Sequence, residues 1–218
     1  IVDSLYLKNG RRNYCIALSE PLELPEAELP LDPYLLGVWL GDGDKRDGVI
    51  HTSDLEILKS FEDNGFQKGM FMSTPGITVD FNYRCRFLKL KAILKSMNLI
   101  KNKHIPIQYF FASKKQRLAL LQGLMDTDGT VTQGRNSVFS NTNKAIIDGI
   151  EFLINSLGEK CSVKYKEARF NGKKTSDNWV INFTPSFKAF RLERKLKKQN
   201  LNVRLSKVRY IVSAAKTD

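Results

Sequence analysis

Two stretches of the chain carry apolar residues with almost no polar face between them. Residues 35–43 read Leu-Leu-Gly-Val-Trp-Leu-Gly-Asp-Gly, and residues 121–129 read Leu-Gln-Gly-Leu-Met-Asp-Thr-Asp-Gly. Leu35, Leu36, Val38, Trp39 and Leu40 predict a short helix buried all round. The second stretch repeats Gly, an apolar pair, a small residue, Asp and Gly at the same offsets. Starts are encoded as well: Asp32 caps with Pro33 at the first helical position, and Ser113 with Gln116 makes a capping box. Gly43 and Gly129 are expected to close the helices in the left-handed conformation. Gly37 and Gly41, four apart, leave one face almost bare, as Gly123 and Thr127 do in the second copy, so the two helices can cross closely and bring their C-terminal ends together.

The elements downstream of each buried run also repeat. After Gly43 a polar turn at 44–48 separates two short strands, the second at 49–52. A helix then starts at a Ser53/Glu56 capping box, buries Leu55, Leu58 and Phe61, and stops at Gly65. Residues 77–83 alternate as a half-buried strand, and 86–99 form a basic amphipathic helix. The second half gives a hairpin around Gln133-Gly134-Arg135, a helix over 142–157, strands turning at Asn171-Gly172 and returning at 179–183, and a helix over 186–199. The fold class is therefore α+β: two pseudo-symmetric αββαββα halves, each with a four-stranded antiparallel sheet that packs helices on one face and opens the other. The halves are expected at 32–112 and 113–218, after an N-terminal extension at 1–31 that opens with an Asn9-Gly10 turn.

Charge says what the open faces meet. The 218 residues include 35 Lys and Arg against 23 Asp and Glu, a formal net charge of +12, which points to a polyanion and to nucleic acid first. Outward candidates are Lys45, Arg46, His51, Arg84, Gln133, Arg135, Asn136, Lys164, Lys166, Lys173 and Lys174, residue types that read base edges or hold phosphates. Two unlike sheets would read two unlike half-sites of double-stranded DNA, bound by a monomer with internal pseudo-twofold symmetry. Cys15, Cys85 and Cys161 form no metal or disulfide pattern and suit an intracellular, reducing compartment. Two histidines argue against structural zinc, and no apolar run is long enough to span a membrane.

The paired helix ends carry the chemistry. A helix C-terminus is partially negative, so Asp42 and Asp128 brought together there would repel, and a cation would relieve them. Carboxylates with the free carbonyls of the last turn, those of Gly41 and Thr127, are hard oxygen ligands suited to Mg²⁺, with Ca²⁺ or Mn²⁺ as substitutes.

These residues resemble the LAGLIDADG homing endonucleases, in particular the endonuclease domains carried inside inteins. The resemblance covers nearly the whole chain: besides the two signature helices, residues 29–34 (Leu-Pro-Leu-Asp-Pro-Tyr) look like the lead-in and 102–106 (Asn-Lys-His-Ile-Pro) like the motif between the copies. Leu40 replaces the first acid of the consensus, while the second is kept as Asp42 and Asp128. The resemblance implies a double-strand break in a long non-palindromic target by metal-dependent hydrolysis. Asp42 and Asp128 would bind metal, and Lys103 would help activate water or stabilise phosphate charge. For the second half, Lys207 is favoured over Arg204. The other classes weighed are a non-cleaving DNA-binding regulator and an RNA maturase on the same scaffold. Protein splicing is not expected, since residue 1 is Ile and no His-Asn terminus is present.

Overall fold

Residues 4–76, 81–132, 136–170, 173–202 and 206–215 are described in this computed structural model. A short strand β1 (Cys15–Ala17) precedes the first buried helix, α1 (Pro33–Asp42). Asp32 caps α1 by accepting from the N–H groups of Tyr34 and Leu35. The rest of the first half is β2 (Val49–Thr52), α2 (Leu55–Asp63), β3 (Lys68–Pro75), β4 (Phe81–Phe87) and α3 (Leu90–Ser96). A single turn, α4 (Ile107–Phe110), leads to α5 (Lys114–Thr127), where the Ser113/Gln116 capping box forms as expected. Then come β5 (Gly129–Thr132), β6 (Asn136–Asn141), α6 (Lys144–Ser156), β7 (Cys161–Phe170), β8 (Lys173–Phe183), the one-turn α7 (Glu193–Leu196) and β9 (Val208–Tyr210).

α1 and α5 form the seam. A Cβ built on Gly37 would stand 2.9 Å from Leu124 N and 3.0 Å from Gly123 Cα, and one on Gly123 would meet Val38 N at 2.8 Å. Only hydrogen fits where backbone touches backbone, which is why small residues recur on this face. Leu35, Leu36, Val38, Trp39, Leu120, Leu121, Leu124 and Met125 are fully buried around it and join the cores of both halves.

The repeated layout is present, with differences. The second half has the four-stranded antiparallel sheet, in the order β5-β6-β8-β7, but the first has three strands, β2-β4-β3, among the described residues. Where β5 would have its counterpart, a lone bridge joins Gly43 to Ile50. Trp39 Nε1 donates to the Asp47 carbonyl, and Asp44 N donates to Val49 O, so 43–48 is drawn into a tight turn that leaves no length for a strand. Neither helix-closing glycine is left-handed: Gly43 has φ −77°, and Gly129 begins β5. Glycine is required there for space, since a Cβ would lie 2.6 Å from Trp39 Cγ at Gly43 and 2.5 Å from Met125 O at Gly129.

Other boundaries shift for local reasons. α2 is capped by Asp54 with no side-chain cap bond, so the Ser53/Glu56 box does not form. Arg86 and Phe87 belong to β4 rather than to a helix. β3 is exposed along nearly its whole length and so shows no alternation to read. The helix expected over 186–199 shrinks to α7, because side chains capture its backbone groups: Asp126 accepts from the N–H groups of Arg191 and Leu192, and Gln199 bonds Ala189 N and Phe187 O. The turns expected at 133–135 and 171–172, and the start of the 77–83 strand, lie outside the described residues. The N-terminal extension packs on the second half: β1 pairs with β9, Leu22 N donates to Ser156 O, and the buried Arg117 donates to the carbonyls of Leu22, Ser156 and Ala112. All three cysteines are free, and no helix among the described residues is long and apolar enough to cross a membrane.

Candidate active site and nucleic-acid interface

The seam delivers Asp42, the last residue of α1, and Asp128, the C-cap of α5, to one end of the molecule. Burial is the main reason both carboxyls are pushed up. Asp42 rises to about 7, with the Asp128 charge as the next cause, opposed by Lys195 and Lys103. Asp128 is raised by burial against the pull of Lys103 and Lys195 and a 3.4 Å contact from Asn141 Nδ2. Two partly desolvated acids, one raised by the other, are a site that gains from a cation. Among the described residues no third His, Cys, Asp or Glu joins them, so a metal here would be held by two carboxylates and helix-end carbonyls, a hard donor set that fits Mg²⁺ or Ca²⁺ and excludes a soft-metal centre.

The carbonyls of Gly41 and Thr127 are already engaged by lysines. Lys103 Nζ donates to Leu40 O (3.0 Å), Gly41 O (3.1 Å) and Gly43 O (2.7 Å). Lys195 Nζ donates to Asp126 O (2.7 Å), Thr127 O (2.8 Å) and Gly129 O (2.7 Å), with Met125 O at 3.0 Å. Leu40, Gly41 and Gly43 occupy the same places in the first copy as Asp126, Thr127 and Gly129 in the second. Each buried helix therefore ends in an ammonium ion that takes its orphan carbonyls and offsets its partial negative charge. Burial pulls both lysines down to about 8; Asp128 and Asp42 oppose this at Lys103, while at Lys195 the Arg194 charge adds to it and Asp126 and Asp42 oppose it. A carbonyl oxygen has two lone pairs, so Gly41 and Thr127 can still face a metal.

The counterpart of Lys103 is thus Lys195, not Lys207. Lys207 Nζ is 2.8 Å from Glu159, a buried carboxylate that also accepts from Ser186, and burying that charge demands a cation beside it. Arg204 lies outside the described residues. Lys195 was hidden because residues 191–198 read as the charged face of an amphipathic helix, and no local pattern separates one lysine there from its neighbours. Asp126 has a role that Leu40 cannot have: it accepts from Tyr34 OH at 2.9 Å and from two N–H groups of the segment that carries Lys195.

The open sheet faces hold five of the eleven expected contact residues, and two more lie on an adjoining turn. In the first sheet His51 pairs with Arg84, and Arg84 with Met72, all pointing away from the buried Ile50 and Cys85. A hollow of about 470 Å³ runs from Asp42 across His51, Arg84, Asn82 and Thr74. Lys45 and Arg46 are exposed on the adjoining turn, where Arg46 N bonds Asp44. In the second sheet Asn136, Lys164 and Lys166 alternate away from the buried Ser137 and the half-buried Val163. Asn136 accepts from Thr184 and shares a hollow with Lys160, Ser162 and Asn182, which sequence alone did not single out although Ser162 and Asn182 share its strand parity. Gln133 and Arg135, and the side chains of Lys173 and Lys174, lie outside the described set.

Comparison with known proteins fits this arrangement. Residues 115–201 match the model of the LAGLIDADG-like domain. A replicative DNA helicase DnaB of Mycobacterium intracellulare is 36% identical over 185 residues, covering 85% of this chain and 29% of the helicase. The homothallic switching endonuclease of Saccharomyces cerevisiae is 27% identical, covering 62% of this chain and 28% of that protein. The chain thus spans under a third of the length of these curated relatives. The crystal structure of I-DmoI in complex with DNA and Ca superposes with a TM-score of 0.52 at 18% identity, covering 77% of this chain and 95% of that one, a likeness of fold. Residues 115–201 thus carry a LAGLIDADG-like domain, and the chain as a whole shares the fold of that I-DmoI complex.

Proposed function

We propose that this protein is a site-specific DNA endonuclease that cuts both strands of a long, non-palindromic duplex with the help of a divalent metal, most simply Mg²⁺. The observation that carries the reading is the doubled centre: two acids at the ends of paired helices, each end neutralised by its own lysine, opening onto basic sheet faces. A protein that only bound DNA would gain nothing from two carboxylates facing a polyanion. A divalent ion supplies Lewis acidity and acidifies water for attack on the phosphodiester.

The chain's own residues supply the rest. Asp42 and Asp128 offer the charged ligands, and Gly41 O and Thr127 O the neutral ones. Lys103 and Lys195 have their three N–H donors spent on carbonyls, so they act on the reacting phosphate through positive charge rather than a direct hydrogen bond. His51, Arg84, Asn82, Asn136, Lys164 and Lys166 contact base edges and phosphates, the register of the two sheets setting which half-site each meets. The protein acts as a monomer, with halves at 32–112 and 113–218. The type we propose is the intein-encoded one, on the resemblance of the lead-in at residues 29–34 and the motif at residues 102–106.

The test is cleavage selection on a randomised duplex library with Mg²⁺, beside Asp42→Asn, Asp128→Asn and an EDTA control. One long asymmetric site, cut only with metal and merely nicked or left intact by the variants, is the expected result. Binding without cleavage would replace this reading with the DNA-binding regulator, and no preference for duplex would point to RNA.

A further inference from the structure

Each lysine is held in place by the opposite half. Lys103 lies between α3 and α4 of the first half, yet its carbonyl accepts from Asn143 Nδ2 at 2.7 Å, and Asn143 is the N-cap of α6 in the second half. Lys195 lies in the second half, and its neighbour Arg194 makes a two-pronged ion pair with Asp54, at 2.6 Å through both Nε and Nη2. Asp54 is the N-cap of α2 in the first half.

Asp54 and Asn143 occupy one position in the repeat. Each precedes the second long helix of its half, and the N–H of each is held by the side chain two residues earlier, Thr52 Oγ1 at 3.1 Å and Asn141 Oδ1 at 2.8 Å. Capping residues ordinarily spend their side chain on their own helix. Asn143 does both, accepting from Ala145 N while its amide crosses the seam. Asp54 makes no cap bond and gives both oxygens to Arg194. Arg191 stacks on the Tyr34 ring at 4.2 Å, so the segment carrying Lys195 is tied to the first half twice.

We propose that Asp54 and Asn143 are positioning residues, each setting the place of the opposite half's lysine, so that each cut depends on a capping residue from the half that does not supply the lysine. The proposal rests on the endonuclease reading above. A clamp that only glued the halves together would slow both cuts alike, whereas positioning is specific to one strand.

The experiment is single-turnover cleavage of the selected duplex, labelled on each strand separately, with hydrogen exchange on the same proteins. Lys195→Met and Lys103→Met first identify the strand each lysine serves. Asp54→Asn, which keeps the shape and removes the charge, is expected to slow the Lys195 strand by about ten-fold or more and leave the other within about two-fold. Asn143→Ala is expected to do the same to the Lys103 strand, and Asp54→Glu to restore most of the rate. Exchange should rise at 191–196 in Asp54→Asn and stay unchanged at 102–105. Equal slowing of both strands, no slowing, or unchanged exchange at 191–196 would overturn the proposal. Wild-type protein that cuts no duplex would overturn the endonuclease reading itself, and the wild-type lane tells the two failures apart.

Discussion

Gly123→Ala adds one methyl group at the seam, and its cost can be worked out from the packing. The new Cβ would meet Val38 N at 2.8 Å, and the Tyr34 carbonyl more closely still, where ordinary contact begins at 3.4 Å. The shortfall at Val38 N alone is therefore about 0.6 Å, and both obstacles are backbone, so no rotamer change relieves it. Alanine returns about 1 kcal/mol of helix propensity over glycine, while overpacking a close crossing costs about 1–3 kcal/mol. Because both obstacles are backbone, the cost falls in the upper part of that range, about 2–3 kcal/mol, so the net effect is destabilising by roughly 1–2 kcal/mol, and α1 and α5 must part. Since Asp42 and Asp128 end these helices, a shift of that size slows cleavage by about ten-fold or more. Gly149→Ala is the matched control: its obstacle is Ile105 Cδ1 at 2.7 Å, the far end of a side chain that can turn away. Urea unfolding and single-turnover cleavage of both variants make the comparison. If Gly123→Ala unfolds and cuts like wild type, the seam does not set the spacing of the acids.

Three further outcomes are expected. Lys195→Met reduces cleavage by about 100-fold or more, because a buried charge opposite two acids is lost and a cage of carbonyls is orphaned, whereas Lys207→Met stays within about three-fold, since the contacts it breaks, with Glu159 and the Gly158 carbonyl, lie away from the paired helix ends; equal losses in a cleavage assay would refute the assignment. Asp126→Leu, which copies Leu40, leaves Tyr34 OH and two N–H groups unpaired and costs about 3 kcal/mol in urea unfolding; a neutral result would mean the segment at 191–192 is held by other contacts. Asp42 keeps its proton up to about pH 7 in the metal-free protein, so the fold is favoured on the acid side and loses stability as pH rises from the ordinary carboxylate range towards 7, while Mg²⁺ or Ca²⁺ binding releases a proton and weakens about ten-fold for each pH unit below 7. Calorimetry in buffers of different ionisation heat reads the proton directly, and an affinity flat with pH over that range would be inconsistent with a raised Asp42.

The sequence by itself determined the elements whose cause is local. Apolar residues without a polar face, bare positions four apart and a cap at each start are enough to specify two buried helices that cross closely, and with them the meeting of Asp42 and Asp128. Strand alternation put His51, Arg84, Lys164 and Lys166 on open faces, and the net charge of +12 made a polyanion the partner to propose for them. Tertiary structure alone decided the rest. Lys195 was selected from a run of like residues because Asp126 and Gln199 hold 187–192 out of the helix its sequence favours, so that one ammonium reaches the end of α5. Lys207 was drawn away by Glu159. Among the described residues the first sheet has one strand fewer because Trp39 pins the turn at 43–48. Asp54 gave up its own helix for Arg194, 140 residues on. In each case the deciding bond joins residues remote in the chain, and periodicity, propensity and capping signals record only what neighbours within a few residues can do to one another.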